Sequence, residues 1–322
     1  MKIIKDADLS EVLWYRIGGK ARYLIVCNVE SDVVEAFKFL KKEKIDKYFV
    51  TGLGSNLLFT DGNYDGAVIQ ILTSDYSDGI RLVSKDTVGA FAGVTLDSVI
   101  QFAFENNLIG LEWAGGLPGT VGAAVRGNVG AFGGEIKDVF NGAEVLKITG
   151  AKQEILAMNK RDVKFAYRTS TVKKNPNMIV LTARFKLKSA DTGRVGRARQ
   201  TYLANIEYRK NKHPLDHPST GSAFKNVSEV QNVSKVLDVF PDLDGEVKIK
   251  WHGKVSMGYL IKRLDLSGLK IGNAQISNKH SNFIVNLGGA RFQDVLQVIN
   301  KVRETFEDTF GFVPEAEVEI VE

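Results

Sequence analysis

The stretch 115–134, GGLPGTVGAAVRGNVGAFGG, places eight of the chain's 31 glycines in 20 residues, where even dispersal would give about two. A residue without Cβ lets backbone N–H groups approach a ligand closely and takes φ > 0 without strain, so such a run can line a pyrophosphate. Each glycine alone reads more simply as part of a tight turn; the cluster as a whole points to ligand contact. A second motif, TGLGSNLLF at 51–59, follows a strand-like segment, and Gly52, Gly54, Ser55 and Asn56 have the makings of an anion nest. Because position 57 is Leu, this is not the G-x-G-x-x-G dinucleotide fingerprint, and no G-x-x-x-x-G-K-[ST] occurs for nucleotide hydrolysis.

Three polar groups in separate segments are further candidates. Ser222 lies in HPSTGSAFKN at 217–226, with the charge of Lys225 and the amide of Asn226 close behind it. It suits a turn, a helix cap or a chemical role. Arg168 follows an aromatic-rich approach in FAYRTS, and Glu317 stands in PEAEVEIVE. Singly, they read as a surface arginine and a solvated strand-face glutamate. In a strand Glu315, Glu317 and Glu319 point the same way, so periodicity does not single one out.

Metal and thiol chemistry have little support. His213 and His217 have i, i+4 spacing, but Pro214 and Pro218 argue against a shared helical face. There is no H-E-x-x-H, and the one cysteine, Cys27, falls in the apolar strand YLIVC as a small buried hydrophobe. No metal site is expected.

The elements that must position these groups follow from patterning. At 322 residues the chain exceeds one compact core, and its 44% hydrophobic and 25% charged content is that of a soluble globular protein. Apolar runs fall short of the ~20 residues that span a bilayer, and the start lacks a signal-peptide pattern. With a single cysteine, these features point to the cytoplasm. Net charge is +5, with Lys and Arg dispersed, which suits anionic small molecules better than a nucleic-acid stripe.

Ser31 is expected to cap a helix whose buried face is Val33, Ala36, Phe37 and Leu40; Thr95 is expected to cap one carrying Leu96, Val99, Ile100 and Ala103. KYFV, GAVIQIL (66–72) and FIVN (283–286) read as strands, and RLVSKDTVGAFAGV as a hairpin. Helices are expected around 228–238, 256–264 and from Phe292 to Phe306, with a final strand in VPEAEVEIVE. The class is α+β with mixed sheets, in about three units.

Taken together and in order, the motifs resemble the UDP-N-acetylenolpyruvoylglucosamine reductase (MurB) family, flavoenzymes of peptidoglycan precursor synthesis. They are RIGG (16–19), GLGSNLL (52–58), AGGLPGTVGAAV (114–125), GNVGAFGGEI (127–136), AYRTS (166–170), GSAFKN (221–226), AQISNKHSNFIVN (274–286) and EAEVEI near the end. The resemblance implies an FAD-binding two-subdomain module of the vanillyl-alcohol-oxidase type, followed by a smaller α+β substrate-binding domain. Its expected boundaries are 1–76 (with 312–322 returning to it), 77–205 and 206–311.

It also implies non-covalent FAD, NADPH as hydride donor and a UDP-sugar substrate, with no nucleic-acid or membrane partner; the oligomeric state stays open, a monomer included. Cofactor contacts are implied for Gly52, Gly54, Ser55, Asn56, Leu57, Gly116, Pro118, Gly119, Gly122 and Asn128. Lys225, Asn226 and Gln275 would meet the substrate. In the implied reaction hydride adds to C3 of the enolpyruvyl group and C2 is protonated. Arg168 and Glu317 would stabilise the charge that develops, and Ser222 would hand over the proton.

Phe132 stands where the family often has Tyr, Val227 replaces a usual Pro, Trp14 a common Thr and Pro314 a usual Leu. The short span from Arg168 to Ser222 leaves little room for an inserted tyrosine-bearing loop, which points to the type II form. Competing readings are an FAD-dependent alcohol oxidase of the same cofactor fold and a basic nucleic-acid-binding module.

Overall fold

The computed structural model describes residues 1–73, 79–150 and 152–322; the expected boundary between 76 and 77 lies outside the described residues. The chain forms two compact units. One comprises Met1–Ala7, Ala21–Gly54 and Tyr64–Arg209, the other Asp8–Lys20, Ser55–Asn63 and Lys210–Glu322.

The first unit begins with a four-stranded sheet in the order Lys2–Asp8, Lys20–Cys27, Tyr64–Ile71, Tyr48–Thr51. Tyr64–Ile71 is central and parallel to both Lys20–Cys27 and Tyr48–Thr51. Buried on nearly every position, it reads as a continuous apolar run, as parallel strands do. Helix Glu30–Lys42 buries Val33, Ala36, Phe37 and Leu40, the expected face. Ser31, however, lies inside its first turn. Val29 occupies the cap position without a side-chain bond, and Asp32 accepts from the Asn28 N–H instead (2.9 Å). An acid in the first turn also suits the positive end of the helix dipole.

A five-stranded antiparallel sheet follows, ordered Lys152–Met158, Phe140–Thr149, Met178–Lys186, Thr87–Phe91, Ile80–Ser84. Thr95 caps helix Leu96–Glu105 by accepting from the Ser98 N–H (3.1 Å). The unit closes on helix Thr192–Lys212, whose last residues belong to the second unit.

In the second unit an antiparallel sheet runs Ser219–Ser222, Phe283–Asn286, Ala274–Ile276, Lys270–Ile271. Helix Phe292–Phe310 packs Val295, Val298, Ile299, Val302 and Phe306 into its core, four residues longer than the sequence pattern marks. Asp61 accepts from the Phe292 N–H at its start (2.7 Å). The C-terminal strand is shorter than expected, Glu319–Val321, and pairs in parallel with Leu57–Phe59. Glu317 thus lies just outside it, and strand periodicity does not govern where Glu317 points.

Candidate functional site

Ser222 closes its strand at an irregularity. Ser219 stands opposite Val285 and Ser222 opposite Phe283, so one extra residue is accommodated between them. Gly221 supplies the φ of +75° for this bulge. Beyond it the backbone is tied on both sides. The Ala223 N–H donates to the Asn282 carbonyl (2.7 Å), and the Ala223 carbonyl accepts from the Glu317 N–H (2.8 Å). Phe224 bridges Ala316 antiparallel. Ser222 and Glu317 are therefore held on neighbouring rungs of one backbone ladder. Asn56 fixes the far side of Glu317: its Nδ2 donates to the Glu317 carbonyl (2.9 Å), and its own carbonyl accepts from the Glu319 N–H (3.0 Å).

The residues expected to meet substrate lie in the same unit, and each has a protein partner. The Lys225 N–H donates to the Glu315 carbonyl (3.0 Å), and the Lys225 ammonium pairs with the Glu315 carboxylate. Asn226 Oδ1 accepts from the Met257 N–H (3.1 Å) at the start of helix Met257–Arg263, and Gln275 Nε2 donates to the Gly268 carbonyl (3.1 Å). Leu57 is buried, opposite Glu319.

Sequence reasoning overlooked the buried amides of this unit. Asn282 Oδ1 accepts from the Phe224 N–H (3.1 Å) while its Nδ2 donates to the Phe224 carbonyl (2.8 Å). Asn286 Nδ2 donates to the Tyr15 carbonyl (3.1 Å), and the Tyr15 hydroxyl donates to the Ile284 carbonyl (2.9 Å), which ties the segment before RIGG to FIVN. The signal was present: asparagines bounding an otherwise apolar strand must find partners when buried. His280 Nδ1 accepts from the Asn282 N–H (3.3 Å), which suits a neutral ring, and burial holds the imidazole below its usual pKa.

Arg168 belongs to the first unit, in a turn closed by reciprocal bonds between Ala166 and Thr169 (3.0 and 3.2 Å). Its φ of +56° is a left-handed conformation that side-chain-bearing residues rarely keep unless their surroundings impose it. Here the surroundings do so. Arg168 Nη2 donates to the Gly130 carbonyl (2.9 Å), and Lys173 Nζ donates to the Arg168 carbonyl (3.2 Å). Asn128, fully buried, donates through Nδ2 to Glu135 (2.9 Å) and to the Ala166 carbonyl (3.0 Å), and accepts from the Lys137 N–H (3.0 Å). Both amide hydrogens of Asn128 are engaged, so its side chain serves the Arg168 turn. Burial pushes the Glu135 carboxyl up, but hydrogen bonds from Lys137 and Asn128, with the charges of Lys137 and Arg168, outweigh it and hold the group below the usual range.

The two glycine segments meet in this unit. A Cβ on Gly52 would collide with Thr120, and Gly52 accepts from Gln70 Nε2 (3.2 Å). Gly115 accepts from Arg209 Nε (3.0 Å), Gly116 lies against Arg209 and Ile206, and a Cβ on Gly122 would stand 2.9 Å from that of Ala92. These glycines are small because protein packs on them. Gly119, after Pro118, is different: at φ +151° its Cβ side meets nothing within 4 Å, while its carbonyl accepts from the Leu96 N–H (3.0 Å). Gly54, at φ +67°, ends the first unit's part of the other motif, and Ser55 begins the second unit's. A backbone ridge anchored beneath and open at Gly119 fits the phosphate-bearing stem of a dinucleotide cofactor. Among the described residues, no group of three or more His, Cys, Asp or Glu could hold a metal ion, and no helix is long and apolar enough to cross a membrane.

Residues 21–155 match a family model described as an FAD binding domain, which makes this α+β module that of a flavoprotein of the vanillyl-alcohol-oxidase type. Residues 213–321 match the model of the UDP-N-acetylenolpyruvoylglucosamine reductase C-terminal domain. The chain is 34% identical to the UDP-N-acetylenolpyruvoylglucosamine reductase of Caldicellulosiruptor saccharolyticus, over 100% of this chain and 92% of that one. It is 33% identical to that of Fusobacterium nucleatum, over 100% of both. The crystal structure of the enzyme from Thermus caldophilus superposes with a TM-score of 0.74 at 27% identity, covering 100% of this chain and 98% of the other. The chain belongs to the UDP-N-acetylenolpyruvoylglucosamine reductase family. The alcohol-oxidase and nucleic-acid readings gain no support from these matches.

Proposed function

We infer that the protein reduces UDP-N-acetylglucosamine enolpyruvate to UDP-N-acetylmuramate with NADPH, in peptidoglycan precursor synthesis. The observation that carries this reading is the ladder joining Ser222 to Glu317, two candidate groups for the reaction, in a chain that matches the family end to end. A non-covalently held FAD, reduced by NADPH, would supply the hydride for C3 of the enolpyruvyl group.

The chain's own residues do the rest. Hydride addition leaves carbanion-like charge at C2, delocalised into the carboxylate. Arg168, with its turn conformation imposed by Asn128 and Lys173, offers a preorganised cation to that charge. Glu317 acts as a hydrogen-bond partner on the reacting acid, and Ser222 gives its hydroxyl proton to C2, to be restored from solvent. Ser222 is half-buried, and its hydroxyl has no hydrogen-bond partner among the described residues, which supports its availability to a ligand. Lys225 binds the substrate diphosphate, and Asn226 and Gln275 its sugar portion. Gly54, Ser55, Asn56, Pro118 and Gly119 form the cofactor cradle, backed by the packed positions Gly52, Leu57, Gly116, Gly122 and Asn128.

Residues 1–76, with 312–322 returning to them, and 77–205 serve as the cofactor subdomains, and 206–311 as the substrate domain. The short Arg168–Ser222 span, occupied by strand Met178–Lys186 and helix Thr192–Lys212, supports the type II form. The enzyme works in the cytoplasm, where NADPH and UDP-sugars are supplied, and the basic excess serves these anionic ligands rather than a nucleic acid. Incubation of the yellow, FAD-loaded protein with NADPH and UDP-N-acetylglucosamine enolpyruvate should yield UDP-N-acetylmuramate, identified by mass. A purified protein that neither carries nor takes up FAD contradicts the reading.

A further inference from the structure

We propose that Asn282 is the positioning residue for Ser222. The chain reaches Ser222 through a bulge, where Gly221 adopts φ +75° and the strand pairing with Phe283–Asn286 slips. A bulge leaves the following residue free to re-aim, so something beyond it must set where the hydroxyl points. Asn282 makes three of the bonds that do this. Its carbonyl takes the Ala223 N–H (2.7 Å), its Oδ1 takes the Phe224 N–H (3.1 Å), and its Nδ2 reaches the Phe224 carbonyl (2.8 Å). The amide side chain thus continues the ladder where the strand's own pairing ends. The fourth bond, from the Glu317 N–H to the Ala223 carbonyl, attaches the partner acid to the same peptide.

Only an amide offers a donor and an acceptor at this spacing. Asn282 is 3% exposed, so water does not replace what a substitution removes. Asp in its place keeps the acceptor but sets a carboxylate against the Phe224 carbonyl. Asn282 itself touches neither reacting atom; it acts through the backbone that presents Ser222.

The proposal rests on Ser222 as the proton donor, and the test separates the two claims. Asn282→Asp and Asn282→Ser are made in the wild-type protein and in Ser222→Ala, and the FAD-loaded proteins are followed through both half-reactions without oxygen. We expect flavin reduction by NADPH to stay within about twofold of wild type. Reoxidation by UDP-N-acetylglucosamine enolpyruvate should slow by roughly ten- to a hundredfold, the scale expected of a small misplacement of a reacting group. In Ser222→Ala the same changes should add little, because the group they position is gone. Equal slowing of both half-reactions, full additivity with Ser222→Ala, or loss of bound FAD from both variants overturns the proposal. Reoxidation of Ser222→Ala at the wild-type rate instead overturns the role of Ser222 itself.

Discussion

Lys225 and Glu315 meet twice, once through backbone and once through their charges, yet Glu315 remains 70% exposed. With one partner so exposed the pair contributes little to folding, and under the proposed function the half-buried Lys225 binds the substrate diphosphate instead. A diphosphate offers Lys225 more negative charge than one carboxylate does and can displace it. Lys225→Ala should raise KM for the UDP-sugar by about tenfold while altering kcat far less, the signature of lost ground-state binding. Thermal unfolding should scarcely move. A fall in kcat with KM unchanged would place Lys225 in the chemistry instead. At this scale the sequence was informative about residue types and silent about their company. Ser222 and Glu317 were legible as candidates through motif order, but their shared peptide depends on a bulge and on Asn282, which no local pattern reveals.

Among elements, the segment 115–134 separates glycines needed for packing from those that face open space. Gly122 lies against Ala92, and its N–H donates to the Ala92 carbonyl (2.9 Å). Gly127, the last residue of helix Val121–Gly127, has nothing within 4 Å of its missing Cβ. Gly122→Ala should therefore destabilise the protein by about 1–3 kcal/mol through overpacking, whereas Gly127→Ala should hold or raise stability by up to about 1 kcal/mol. Thermal unfolding of the two variants checks this; equal shifts would contradict the distinction. The helices were the most legible elements: the faces of Glu30–Lys42 and Leu96–Glu105 follow their apolar spacing, and Thr95 caps as its type suggests. Ser31 did not cap, because Asp32 reaches back to Asn28 and the helix begins at Glu30. The last strand was overread for a tertiary reason: residues 315–317 pair with GSAFKN, and only Glu319–Val321 pair with Leu57–Phe59.

For the whole molecule, Cys27 gives a probe of global stability. Burial first, and the Asp32 charge second, push its thiol from an ordinary 9.0 up to about 12. The folded value is raised, so this contribution is complete below about pH 9 and lost as pH climbs towards 12. Denaturant midpoints should fall across that window, and Cys27→Ala should fall less steeply; parallel curves would contradict the assignment. The division into two units was only partly legible, since short pieces of the chain, such as Asp8–Lys20 and Ser55–Asn63, cross over to join the second. Composition does not mark such crossings, because they are fixed by distant partners such as Ile284 for Tyr15 and Glu319 for Leu57. What the assembled, FAD-loaded protein reduces is decided by reducing it with NADPH, removing oxygen, adding UDP-N-acetylglucosamine enolpyruvate and following flavin absorbance. The oxidised spectrum should return rapidly, with one equivalent of UDP-N-acetylmuramate formed. Flavin that stays reduced until oxygen is admitted would contradict the reductase function.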